Sequence, residues 1–132
     1  MSKKKVAVLT SGGDAPGMNP CIRACVRFGL YKGLEMYGVQ RGYQGLIDDD
    51  IFEMNSRSVS DIIQRGGTML KSARCQDFRS LDGIGKAVEN LKKRGISRLI
   101  VIGGDGTFRG AKDMADNFDI RGMGIPGTIE ND

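Results

Sequence analysis

The stretch Arg98-Leu-Ile-Val-Ile-Gly-Gly-Asp-Gly-Thr107 decides the fold class. Its first five residues are a short, nearly continuous apolar run, which suits a strand buried on both faces of a parallel sheet. Gly103 to Gly106 stop that strand. Phe108, Ala111, Met114 and Ala115 then follow helical spacing. A strand, a glycine turn and a helix in that order form half of a β-α-β unit. The N-terminus repeats the arrangement: Val6-Ala7-Val8-Leu9 is ended by the loop Thr10-Ser-Gly-Gly-Asp-Ala-Pro-Gly17. Asn19 and Pro20 read as N-cap and first residue of a helix. Ile22, Cys25, Val26 and Leu30 carry its apolar face as far as Gly33.

Between these two units, Leu34 to Val39 reads as a second strand and Arg41-Gly-Tyr-Gln-Gly45 as the loop after it. Asp48 to Asp50 predict a solvated turn, and Ile51 to Met54 a short edge strand. Ser58 to Gln64 resembles a short helix, and Thr68 to Leu81 has no clear period. Ile84, Ala87, Val88 and Leu91 stand at i, i+3, i+4 and i+7, a helix ending at Lys92-Lys-Arg-Gly95. Gly122 to Ile125 gives the final strand. Alternating strands and helices predict an α/β domain with a mainly parallel sheet flanked by helices.

Composition narrows the chemistry. The 132 residues suit one domain, and 39% apolar with 27% charged is ordinary for a globular chain. The net charge of +4 comes partly from Lys3-Lys4-Lys5 and does not point to nucleic acid. There is no histidine, which removes Ser-His-Asp and Cys-His nucleophiles and His-based zinc or iron sites. Three cysteines, Cys21, Cys25 and Cys75, form no C-x-x-C pair, and Cys21 with Cys25 reads as one buried helix face. An odd cysteine count, no membrane-length apolar run and no signal segment predict a soluble cytoplasmic chain with no membrane partner.

Ser11 to Asp14, Arg41 to Tyr43, Gly103 to Gly106 and Gly127 to Asp132 all follow predicted strands. In open parallel sheets, ligands bind beyond those strand ends. Gly12 and Gly13 let backbone amides approach a phosphate at a helix N-terminus, and Gly103 to Thr107 repeat the device. Asp105 adds a carboxylate that needs a bridging magnesium to face phosphate. Arg74 offers planar charge-assisted hydrogen bonds. Glu130 and Asp132 bring further carboxylates to the same edge, and the set suggests phosphoryl transfer. The Walker loop and the G-x-G-x-x-G fingerprint are both absent.

Thr10 to Asn19, Arg65-Gly-Gly-Thr68 with Ser72-Ala-Arg74, Gly103 to Gly106 and Pro126 to Asp132 together resemble the ordered motifs of bacterial-type ATP-dependent 6-phosphofructokinases. The likeness covers essentially the whole chain. It implies that residues 1–132 are the nucleotide-binding part of such a subunit, with the second, sugar-phosphate domain absent from this chain. Gly13, Arg74, Cys75, Gly104, Asp105, Gly106 and Thr107 match the family's ATP contacts. Asp105 matches its magnesium aspartate, with Asp132 assisting. Thr128, Ile129 and Glu130 fall where the family contacts fructose 6-phosphate, Glu130 at the proton acceptor for the sugar 1-hydroxyl. Arg23, Arg27 and Asp61 match contacts to an ADP effector. A homotetramer is implied for the full-length enzyme. Gly106 and Gly127 leave room for a nucleotide where pyrophosphate-dependent relatives carry Asp and Lys. Two departures stand out: Glu130 replaces the usual Asp, and Ser56 occupies the place of an effector arginine. The alternatives are a non-catalytic nucleotide-binding fragment, or a related pyrophosphate-dependent, NAD or lipid kinase.

Overall fold

A computed structural model describes residues 4–10, 18–55, 81–103, 105–118 and 120–126. The chain runs β1 (Lys5–Thr10), α1 (Met18–Tyr31), β2 (Glu35–Val39), α2 (Gly42–Asp48), β3 (Ile51–Met54), α3 (Leu81–Lys93), β4 (Ile96–Gly103), α4 (Asp105–Asn117) and β5 (Arg121–Pro126). The five strands form one sheet in the order β3-β2-β1-β4-β5. Every neighbouring pair is parallel except β2 with β3. The α/β reading with a mainly parallel sheet is therefore correct.

β1 lies at the centre, and its burial explains its sequence. Val6 to Thr10 are all buried. Val6 and Val8 point to one face with Ile22 and Val26 of α1, whereas Ala7 and Leu9 point to the other with α2, α3 and α4. Only a strand with apolar cover on both sides needs an unbroken apolar run.

The two units that share this centre leave in opposite directions. After β1 the chain crosses to β2, and after β4 it crosses to β5 on the far side. Right-handed crossovers in opposite directions put α1 and α4 on opposite faces. They also open the sheet between the carboxyl ends of β1 and β4, the topological switch point of an open sheet.

The residue pattern sets the helices and their ends. Ile84, Ala87, Val88 and Leu91 of α3 are all buried, as the spacing predicts. α1 closes where Gly33 takes φ 81°, with Leu34 N–H donating to the Gly29 carbonyl at 2.9 Å and Gly33 N–H to that of Leu30 at 3.0 Å. That is the Schellman arrangement that glycine favours.

Two expectations need correction. α1 begins at Met18, so Asn19 is not the cap and Pro20 lies inside the first turn. Proline is harmless there because the first N–H groups of a helix have no intrahelical partner. The segment after β2 is not a loop: Gly42–Asp48 is a helix, bracketed by Arg41 (φ 60°) and Asp49 (φ 60°) in the left-handed region. Gly45 permits the tight return, since a Cβ there would collide with the Gln40 carbonyl oxygen. The predicted turn at Asp48 to Asp50 is more embedded than expected, with Asp49 and Asp50 half-buried. The predicted helix Ser58 to Gln64 and the irregular segment from Thr68 lie outside the described residues, apart from Leu81, which opens α3.

Candidate functional site

The site is built from strand ends. Because β1, β2, β4 and β5 are mutually parallel, Thr10, Val39, Gly103 and Pro126 all finish at one edge of the sheet. Thr10 stands beside Ile102, and Gly103 beside Pro126. In the sequence, the segments beginning at Ser11, Arg41, Gly104 and Gly127 follow these four strand ends. The ends of β1 and β4 meet at the switch point.

Asp105 is the first residue of α4, with Gly106 and Thr107 in its opening turn. The glycine-rich segment thus feeds directly into a helix of 13 residues. The free N–H groups of such an N-terminus, with the positive end of the helix dipole, suit an anion placed beyond the end of β4.

What fixes α4 in place is a contact that sequence reasoning missed. Tyr43 of α2 is buried, and its ring lies against Gly110, where an added Cβ would sit 2.9 Å from the ring Cζ. The Ala111 backbone N–H donates to the Tyr43 hydroxyl oxygen, while burial dominates and pushes the phenol well above its ordinary pKa. A neutral, hydrogen-bonded ring therefore wedges α2 against the middle of α4, about one turn beyond Thr107. On the far side, Gly122 of β5 lets Ala111 approach closely, with a virtual Cβ 3.1 Å from that of Ala111. The available signal was the helical spacing of Tyr43, Leu46 and Ile47, masked by Gly42 and Gly45.

α2 is itself tied to the next helix. Asn90 of α3 is buried and donates from Nδ2 to the carbonyls of Leu46 at 2.7 Å and Ile47 at 3.1 Å. These are among the last carbonyls of α2, which have no partner within the helix. Arg94 Nε donates to Asp49 Oδ1 at 2.9 Å, and Lys93 Nζ lies 3.3 Å from Asp49 Oδ2. The Arg94 hydrogen bond, with help from Lys93, holds the Asp49 carboxyl below the usual carboxylate range against a partial opposing effect of burial. Arg41 Nη2 donates to Asp48 Oδ2 at 3.0 Å, bracing the start of α2 against its end.

Of the remaining predicted residues, Arg23 and Arg27 stand four apart on α1, Arg23 half-buried and Arg27 exposed. Arg23 Nε is buried without a hydrogen-bond partner. Gly13, Asp61, Arg74, Cys75, Gly104, Thr128, Ile129, Glu130 and Asp132 lie outside the described residues. Among the described residues, no group of three or more His, Cys, Asp or Glu side chains could hold a metal ion, and no helix is long and apolar enough to cross a membrane.

The phosphofructokinase family model matches residues 5–132. An ATP-dependent 6-phosphofructokinase of Paenibacillus macquariensis is 59% identical over 132 residues, covering 100% of this chain and 41% of that protein. The enzyme of the same name from Clostridium botulinum (strain Hall) is 60% identical over 129 residues, covering 98% of this chain and 40% of that protein. This chain thus spans about two fifths of the length of the curated relatives it matches. Pichia pastoris phosphofructokinase in the T-state superposes with a TM-score of 0.90 at 35% identity, over 99% of this chain and 16% of that one. A pyrophosphate-dependent phosphofructokinase from Nitrosospira multiformis shares the fold, with a TM-score of 0.83 at 18% identity over 99% of this chain and 35% of that one. With the family model matched over residues 5–132, the chain belongs to the phosphofructokinase family.

Proposed function

We propose that this chain is the nucleotide-binding part of an ATP-dependent 6-phosphofructokinase, which transfers the γ-phosphoryl of ATP to the 1-hydroxyl of fructose 6-phosphate. The observation that carries the reading is the switch point itself. The carboxyl ends of β1 and β4 lie side by side, each is followed in the sequence by a glycine-rich segment, and α4 opens at Asp105. Close relatives named for ATP dependence support the choice of donor. Gly106 and Gly127 support it independently, since neither places a side chain where a nucleotide would need room.

In this reading, backbone amides around Gly13 and from Gly104 to Thr107 hold the ATP phosphates, and Arg74 adds a guanidinium. Cys75 contacts the nucleotide beside it. Asp105 and Asp132 are hard oxygen donors, which suits magnesium, and they would hold it against the phosphates. When bound, that ion neutralises charge on the transferring phosphoryl group. Thr128 and Ile129 position the sugar phosphate, and Glu130 takes the proton from the acceptor hydroxyl. Arg23, Arg27 and Asp61 are assigned to an ADP effector, and the complete enzyme is a cytoplasmic homotetramer.

Titration of Mg-ATP onto the chain tests the nucleotide claim, with Asp105→Ala as the comparison. Saturable binding that Asp105→Ala weakens is the expected result, and no saturable binding overturns the reading. In the full-length enzyme, Glu130→Gln is expected to abolish turnover with little change in Mg-ATP affinity. Unchanged turnover removes Glu130 from the mechanism. Glu130 carries one methylene more than the usual Asp, a displacement of about 1 Å, and errors of that size can cost about a hundredfold in rate. Glu130→Asp therefore measures how far the surrounding loop has adapted to the longer side chain.

A further inference from the structure

We propose that Cys21 and Cys25, with the Met36 thioether next along the same face of α1, form a soft-sulfur site for one monovalent copper ion. The phosphoryl-transfer reading does not use these groups. Cys21 and Cys25 stand at i and i+4 on α1, and both are half-buried free thiols. The two thiols stand one helical turn apart, near enough for each to shift the other's ionisation. The next position on that face, four further on, is Gly29. A Cβ there would collide with Met36 Sδ, so the methionine sulfur fills the place of the absent side chain. Met36 is buried in the same apolar cluster on which both cysteines pack. Three sulfurs therefore succeed one another along the sheet-facing side of the helix.

The donor set selects the ion. Thiolate and thioether sulfur favour Cu(I) over hard cations. Structural zinc asks for four ligands, and the described residues hold no cluster of three acidic, cysteine or histidine side chains. Cu(I) accepts two thiolates, with a neutral thioether as an optional third donor. A disulfide is the poorer outcome for this pair. Side chains at i and i+4 have Cβ atoms about 5–6 Å apart, whereas a disulfide needs about 3.5–4.5 Å. An intervening metal spans that gap without unwinding the helix.

On binding, two S–H bonds break, two Cu–S bonds form and two protons go to water. Copper stays Cu(I), and neither sulfur changes oxidation state. The complex carries one net negative charge. Burial pushes both thiols above their ordinary range, Cys25 to about 12. The pair is thus protonated at neutral pH and a weak nucleophile until a metal displaces the protons.

The test is anaerobic titration of Cu(I) against bicinchoninate, using the whole chain with Cys75→Ser in every variant. Each variant is compared after its far-ultraviolet circular dichroism is matched to the parent. One tightly held Cu(I) per chain is expected. Cys21→Ser and Cys25→Ser should each weaken it by at least about a hundredfold, more than the loss of an outer partner costs. Cys25→Ala with Phe28→Cys keeps two thiols but sets them seven residues apart, about 10 Å along the helix, and should bind as weakly as Cys25→Ser. Parent-like affinity in that variant overturns the bridging geometry. Equal affinity in the parent and in Cys21→Ser with Cys25→Ser overturns the site altogether.

Discussion

On one face of the sheet, α2, α3 and α4 pack around Leu9, Leu91 and Val101, while on the other α1 is the one helix among the described residues that lies across Val6, Val8 and Ile102. The first face is closed by side chains that reach between helices: Tyr43 to α4, and Asn90 to the end of α2. On the second, the described cover is the apolar stripe and the sulfurs of α1, whose outer residues Phe28 and Tyr31 are 63% and 84% exposed. The difference teaches where position is specified. α4, which opens at Asp105, is held from two sides by hydrogen bonding and tight packing. Among the described residues, α1 is held mostly by non-directional burial.

The largest effect should come from cutting the core on the three-helix face. Leu91 and Ile22 are both fully buried, on opposite faces. Leu91→Ala is expected to cost about 2–5 kcal/mol, because neighbours fixed from several helices cannot close the cavity. Ile22→Ala should fall near the lower end of that range, since α1 can settle onto the sheet. Urea midpoints at constant m-value read the difference. An equal or larger loss at Ile22 would break the contrast between the faces.

Next in size is the polar tie between helices. Asn90→Ala leaves the carbonyls of Leu46 and Ile47 without their Asn90 donor in a buried setting, at a cost of about 1–3 kcal/mol. A loss below about 0.5 kcal/mol would mean that water serves those carbonyls equally well. Tyr43→Phe removes the oxygen that accepts from Ala111 N–H but keeps the ring against Gly110, and should cost about 0.5–1.5 kcal/mol. Its specific mark is faster amide exchange at Ala111 with exchange in α3 unchanged. A uniform increase through all helices would show that Tyr43 serves the core and does not position α4.

The sequence disclosed the sheet because burial and periodicity speak with the same voice in β1, β4 and α3: an apolar run for a strand covered twice, and i, i+3, i+4, i+7 for a helix covered once. It disclosed the functional edge because glycine clusters followed those runs. It concealed α2, where Gly42 and Gly45 read as loop residues although Gly45 is there for space beside the Gln40 carbonyl. Nor could it show that Tyr43 meets Gly110 and Ala111, or that Asn90 reaches Leu46, because contacts between separate helices leave no local period. The start of α1 was misread for a related reason. Asn19-Pro20 is a strong local signal, but the helix already includes Met18, and a proline in the first turn costs no intrahelical hydrogen bond.

The smallest effect expected is electrostatic, at the far end of the α2–α3 tie. Asp49 takes φ 60°, a conformation open to Asn as well as Asp, so Asp49→Asn alters the charge and leaves the backbone at ease. Its carboxyl is held below the ordinary range chiefly by Arg94, so the folded state binds this proton less readily than the unfolded chain. The stabilisation is therefore complete above the unfolded value of about 4 and disappears as pH falls through the lower folded value. With both partners partly exposed, it should be worth about 0.2–1 kcal/mol and shrink in high salt. Thermal midpoints of parent and Asp49→Asn should stay a constant interval apart from about pH 5 to 8 and converge below about pH 4. Asp48→Asn is the matched comparison, because its pairing with Arg41 is 42% exposed on both sides and should move the midpoint less. If the two substitutions behave alike, Asp49 contributes no more than an ordinary surface charge, and Asn90 is the polar tie that matters between α2 and α3.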